Sequence, residues 1–363
     1  MSHASRWWIE RVVAGLLLIT AASPFWAGHF LPFLDLPQHL ALSTIITRYA
    51  DSGTGFADFY QIDSHITPYV GFYAVMHLLM TFGVGALMAS RLMFTMYAIG
   101  LPLAAAFTLT TLGRDWRWAV FTVPFIYNAN LFWGFANFLL SLPLFLLALG
   151  LAFRMFAAAT PARPDTWRLA GTVALVSLFH AQTYALLGLC VAPLFGIHWR
   201  GWRWAARCVA PFTLSLLLFT PWAWRTFVPT HAATVLTSIS RVDTARRAIP
   251  TTRYEPIESA FSKIPERLVG GYNDGSDYRI SLAVLALFAA ALIRGAGPKA
   301  QRFRAMLVER RGELLSILLL ASYFVTPIEL AGQWYVSPRH LVFAALLAPT
   351  WLATPAVGFR RII

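Results

Sequence analysis

The chain has 363 residues, 58% of them hydrophobic and only 12% charged, with a mean hydropathy of +0.60. That balance excludes a soluble globular domain, and the apolar runs recur from end to end, so the chain reads as an all-α polytopic membrane protein. A formal net charge of +13 would suit nucleic acid in a soluble chain, but here the arginines fall in short clusters between hydrophobic runs, where they act as orientation signals; nucleic acid is excluded as a partner.

The N-terminus carries Arg6 and Arg11 ahead of an apolar run from Val12, the pattern of a signal peptide or an uncleaved anchor, and the many later spans favour the anchor. Next comes Leu31-Pro-Phe-Leu-Asp-Leu-Pro-Gln-His39, and then a helix predicted over 36–49 along the membrane surface. Asp35 fits an N-cap, with an early-turn Pro37 and Gln38 three positions on. The same position exposes a carboxylate to a cleft, where it can take a proton from a hydroxyl, and His39 at i+4 shares its face. Cap and catalytic base are both open for Asp35.

Against the roughly 17–25 residues needed to cross a bilayer, apolar segments lie at 10–28, 91–111, 135–153, 208–226 and 279–294. Shorter or interrupted ones lie at 67–83, 117–128, 168–180, 182–197, 314–327 and 340–357. If all of them crossed from a cytoplasmic N-terminus, Arg114/Arg117, Arg154/Arg163/Arg168 and Arg200/Arg203/Arg207 would fall outside. The segment 67–83 is short, contains His77 and is bounded by Pro68 and Gly83, so it is the one predicted to be interfacial or re-entrant. Ten crossings then form one transmembrane domain over 1–363. Arg6/Arg11, the three clusters above, Arg294/Lys299/Arg302/Arg304/Arg310/Arg311 and Arg360/Arg361 all lie inside. Asp35, Asp51, Asp58 and Asp63 lie outside, in a first outer loop over 28–90 with membrane-embedded helices; a second long outer loop covers 227–278.

Three outer turns carry further candidates. Tyr127–Phe138 holds Asn128, Asn130 and Asn137, which either cap helix ends or line a cavity for a polar head group or sugar. His180 and Gln182 interrupt a long apolar run, the histidine being either satisfied by its neighbours or at work in a site. Pro327–His340 places Arg339 at the start of the last helix, where it opposes the dipole and so reads as a membrane-interface anchor beside Trp334 and Tyr335 or as a phosphate ligand. The loop 227–278 balances arginines against acids like a solvated lid with a short helix over 256–269. Arg91 reads as interfacial, and Cys190 and Cys208 as packing residues. No metalloprotease, P-loop, Cys-x-x-Cys, nucleophile-elbow or dinucleotide motif occurs.

An acid just past the first helix, partly embedded loop helices and a later long outer loop together make the chain resemble the GT-C class of integral-membrane glycosyltransferases. In that class the first-loop acid is the catalytic base or helps hold a metal, and the sugar donor is usually a polyprenyl phosphate or pyrophosphate lipid. By that resemblance Asp35 is the first-loop acid and Arg339 the basic residue against the lipid phosphate. His39 stands where many members have a second acid, so a divalent metal cofactor is not supported by a two-acid motif. The expected function is transfer of a sugar from a lipid-phosphate donor at the outer face of a bacterial cytoplasmic membrane. The expected site has catalytic Asp35 and His39, with Arg339, Asn128, Asn130, Asn137, His180, Gln182 and Tyr335 binding substrate. A transporter or flippase, or a non-catalytic component of envelope assembly, is the alternative; sugar, acceptor and protein partners are not legible.

Overall fold

The structure, a computed structural model, describes residues 3–62, 65–227, 252–270, 275–293, 303–330 and 333–352. The predicted arginines at 241, 246, 247, 294, 302, 360 and 361, Lys299, Asp63, Asp243, Asp274 and most of the glycine turn after Gly270 lie outside the described residues.

The fold is built from helices, apart from one two-stranded ribbon. In chain order these are α1 (His3–Ala22), α2 (Pro24–Ala27), α3 (Leu36–Thr47), α4 (Phe56–Phe59), α5 (Val70–Thr81), α6 (Ala86–Thr111), a 3-10 helix (Trp116–Tyr127), α7 (Ala129–Trp133) and α8 (Ala136–Ala157). Then come α9 (Arg163–Phe179), α10 (Ala181–His198), α11 (Trp202–Phe227), α12 (Ile257–Ser262), α13 (Ile264–Val269), α14 (Ser276–Ile293), α15 (Phe303–Glu309) and α16 (Arg311–Val325). The ribbon β1 (Glu329–Leu330) and β2 (Gln333–Trp334) precedes α17 (Val336–Leu347). Among the described residues four helices, 86–111, 136–157, 181–198 and 202–226, are individually long and apolar enough to cross a membrane.

Side-chain contacts set the directions. Tyr127 donates to the Ala21 carbonyl while Arg117 pairs with Glu10 at 3.1 Å, so α1 and the 3-10 helix run parallel. Gly100 faces Pro143 and Gly150 faces Phe107, so α6 and α8 run parallel to each other, with Thr108 donating to the Leu146 carbonyl between them. Ser141 meets Thr183 near one end of α8 and α10, and Phe156 meets Phe195 near the other. Ser322–His340 and Ser316–Ala344 contacts make α16 and α17 antiparallel. These contacts set the relative directions within four helix pairs. One end holds Asp35, Gly134, His180 and Arg339. The other holds Arg114–Glu313 and Arg154–Asp165.

Two short segments owe their roles to geometry. The twelve residues of the 3-10 helix rise about 2.0 Å each, covering about 24 Å where an α-helix of that length covers about 18 Å. The predicted segment 67–83 forms only the twelve residues of α5, about 18 Å against a hydrocarbon core of about 30 Å, and it lies against α3, α6 and α9. Where lipid supplies no hydrophobic drive between helices, small residues let backbones approach. A Cβ on Gly150 would lie 2.8 Å from Phe107, so α8 rests on α6 where only glycine fits. The free cysteines Cys190 and Cys208 are both buried.

Exposed Ser52 and Arg163 stand on opposite ends. In cells, Ser52→Cys is expected to react with an impermeant maleimide and Arg163→Cys only after permeabilisation; labelling of both from outside would break the predicted ten-crossing topology.

Candidate active site

Asp35 begins α3 as predicted, but it does not cap it. Its backbone is helical (φ −87°, ψ −8°) and its carboxylate makes no capping hydrogen bond. The reason is local: a cap bonds the amide of the second or third helical residue, the second here is Pro37 with no N–H, and helical backbone at Asp35 swings the carboxylate away from the third. The acid is half-buried and held through its backbone instead. Leu34 and Asp35 donate their amides to the Phe132 and Trp133 carbonyls at 2.9 and 3.0 Å, which clips the loop onto α7.

Gly134 makes that clip possible. It sits at φ +79°, and a Cβ there would lie 2.8 Å from the Asp35 amide and 3.0 Å from that of Leu36. Gly134→Ala therefore meets left-handed strain of about 1–2 kcal/mol and a backbone collision together. The variant is expected to unfold at lower temperature and to lose activity by more than its folded fraction explains, since Asp35 is displaced; thermal unfolding and assay of the same preparation check this.

His39 lies one turn on, hydrogen-bonded through Nδ1 to the Tyr73 hydroxyl at 2.7 Å. Burial pulls its pKa below the ordinary value, outweighing the Asp35 charge and the Gly134 carbonyl, which favour the cation. His39 is thus a neutral ring at pH 7.

Arg339, in the first turn of α17, completes the group. Its guanidinium stacks over Phe135 at 4.5 Å and Phe138 at 5.8 Å, and donates to Gln182 Oε1 at 3.2 Å. Gln182 in turn donates to the Val336 carbonyl at 2.7 Å, tying α10 to α17. The Arg339 Nε is buried without an acceptor among the described residues. A stacked cation with donors to spare, at the same end of the fold as an uncapped carboxylate, can hold an anion near a base.

His180 accepts from the Thr183 amide through Nδ1, so the proton stands on Nε2, and its ring packs edge-on to Tyr69 and Phe138. Tyr335 is the one non-glycine residue with positive φ (63°) among the described residues, a strain of order 1–3 kcal/mol, and it turns the chain from the ribbon into α17.

No protein-family model matches the sequence, and no curated protein matches it. Among solved structures the chain superposes on ArnT from Cupriavidus metallidurans in its apo state, with a TM-score of 0.53 and 14% identity, over 96% of this chain and 60% of that one. The fold is similar to that of ArnT. The chain spans about 60% of the length of that protein. The all-α, polytopic architecture expected from the sequence agrees with this ArnT-like fold.

Within this ArnT-like fold Asn128 takes the first of the two readings open for the asparagine turn, a helix cap. Asn128 is fully buried, accepts from the amide and side chain of Asn130 at 2.9 and 2.8 Å, and donates to the Phe125 carbonyl at 2.8 Å. Its amide is spent capping α7, so it is removed from the ligand set. Asn130 is also fully buried and turned into the same network. Asn137 keeps a buried Oδ1 without a donor. The turn serves the site through its aromatic residues: Trp133 and Phe135 stack, and Trp334 and Tyr335 close on Trp133 at 4.9 and 6.0 Å. Tyr69, Tyr73, Trp133, Phe135 and Gly134 are the residues the sequence reading missed as site groups. The signal for three of them was the Phe-Trp-Gly-Phe run between two asparagines.

The predicted lid helix over 256–269 is two short helices, α12 and α13, and it is fastened down. Arg267 is buried and bonded to Glu255 at 2.7 Å and to the Tyr323 hydroxyl of α16. Arg91 donates to the carbonyls of Gly28 and His29, pinning the start of the first loop rather than snorkelling alone. Among the described residues no three His, Cys, Asp or Glu side chains stand together. Asp35 and His39 alone do not make a metal-ligand set.

Proposed function

We propose that this chain is a GT-C-type membrane glycosyltransferase that moves a sugar from a lipid-phosphate donor to an acceptor hydroxyl at the outer face of a bacterial cytoplasmic membrane, its N-terminus cytoplasmic. The observation that carries this reading is that the uncapped carboxylate of Asp35 and the stacked, partly unpaired Arg339 stand at the same end of the fold. An acid released from its cap and a guanidinium with spare donors suit one reaction in particular, displacement at a carbon that carries a phosphate leaving group.

In that reaction Asp35 takes the proton of the acceptor hydroxyl as the oxygen forms its bond to the anomeric carbon. The bond from that carbon to the phosphate oxygen breaks, and its electron pair leaves with the lipid phosphate, whose charge Arg339 offsets. His39, neutral and anchored to Tyr73, positions the acceptor beside Asp35. The faces of Trp133, Phe135 and the 41%-exposed Trp334 suit the apolar C–H face of a sugar ring. Gathering of these groups at one end, rather than at mid-bilayer, favours transfer over transport.

The test is transfer of radiolabelled sugar from a panel of polyprenyl-phosphate sugars by purified protein in lipid. Activity with at least one donor is expected. Binding of a donor without turnover under every acceptor tried would leave a lipid-binding role and sink the transferase reading.

A further inference from the structure

At the end opposite Asp35, the start of α16 gathers arginines around a buried N–H that meets no acceptor among the described residues. Arg310 and Arg311 stand at the N-terminus of this fifteen-residue helix, where the dipole is already positive and cations are disfavoured. Two carboxylates flank them in the chain, Glu309 and Glu313; Glu313 is almost wholly buried, Arg114 donates to it at 2.6 Å and Arg310 approaches to 4.0 Å. Arg311 shares the field of Glu313 and Arg114, lies 5.5 Å from the Phe153 ring and donates to the Val308 carbonyl, yet its Nε is buried with no acceptor. Three guanidinium groups thus stand against two carboxylates, Glu309 and Glu313, and a buried N–H is left over.

We propose that Arg114, Arg310 and Arg311 form a binding site for the phosphate of an acidic phospholipid headgroup. A phosphate diester supplies one negative charge and acceptor oxygens that match guanidinium forks, and it suits the helix N-terminus that the arginines burden. The lipid source follows from position. The cluster lies at the ends of α6 and α16, with Arg310 side chain 43% exposed and Trp116 of the interface type 38% exposed beside it, at the level headgroups occupy. The positive-inside rule assigns this end to the cytoplasmic leaflet, where basic pockets between helices meet anionic lipid. The site is separate from the Asp35–Arg339 group and independent of the transferase reading.

The test is binding of phosphatidylglycerol to the purified full chain, by native mass spectrometry and by the rise in thermal midpoint in nanodiscs of phosphatidylglycerol against phosphatidylcholine. Wild type is expected to retain phosphatidylglycerol selectively, with Arg311→Gln and the more exposed Arg310→Gln each weakening retention by roughly tenfold, the scale of one charge-assisted hydrogen bond. Arg310→Gln keeps the test decisive if Arg311→Gln fails to fold. Unchanged retention in the folded variants, or equal retention of phosphatidylcholine, overturns the site. Displacement of the lipid by millimolar inorganic phosphate overturns the lipid assignment in favour of a free phosphate.

Discussion

Asp35→Asn is expected to reduce sugar transfer by on the order of 10²–10⁴-fold, the range of a lost general base, with no change in thermal stability. The two halves of that expectation come from one observation. A capping aspartate contributes stability through its side chain, typically about 1 kcal/mol, whereas the Asp35 carboxylate bonds no amide of α3 and its position is held by backbone bonds to Phe132 and Trp133. Asparagine keeps those backbone bonds and nearly the same shape, so the fold has nothing to lose. The chemistry loses the carboxylate beside α3, and His39, whose Nδ1 is bonded to the Tyr73 hydroxyl, does not replace its negative charge. If transfer persists near the wild-type rate in Asp35→Asn, the base lies elsewhere and the site assignment fails. A fall in midpoint equal to that of other cap removals would restore the capping role.

Arg339→Ala is expected to lower kcat by roughly 10²–10³-fold and to weaken donor binding as well, since a charge that offsets the departing phosphate acts more strongly in the transition state than in the ground state. The more informative variant is Arg339→Lys. Lysine keeps the charge but loses the planar stack on Phe135 at 4.5 Å and the fork that reaches Gln182 while leaving donors for an anion. Arg339→Lys is expected to recover only a small part of the loss. Full recovery would mean that a point charge suffices and that the stacking over Phe135 and Phe138 is packing alone. Because Gln182 also donates to the Val336 carbonyl, Gln182→Ala is expected to loosen Arg339 and reproduce a fraction of its effect, read as a fall in kcat with stability little changed.

The charge pattern and the lengths of the apolar runs were enough to predict helices over the long apolar segments and to single out 67–83 as too short to span, where the structure forms only the twelve residues of α5. They were also enough to mark Asp35, His39 and Arg339, three ionisable groups standing in an apolar chain. Local sequence could not decide what those groups do. Asp35 has the spacing of a cap and is not one, because Pro37 withholds an amide and the chain path, set by a clip to α7 a hundred residues on, rotates the carboxylate away. Asn128 has the look of a ligand and is a cap, because its side chain falls inside the fold where unpaired amides are costly and neighbouring backbone supplies partners. The worth of Gly134 was invisible in one dimension, since only packing brings the Asp35 amide to 2.8 Å from where its Cβ would stand. What the sequence by itself determined is the set of segments, their polarity and the few costly charges, which follow from each residue's transfer energy into lipid. Which charges are spent on structure and which remain free was decided by tertiary structure alone, because hydrogen-bond satisfaction depends on partners distant in the chain.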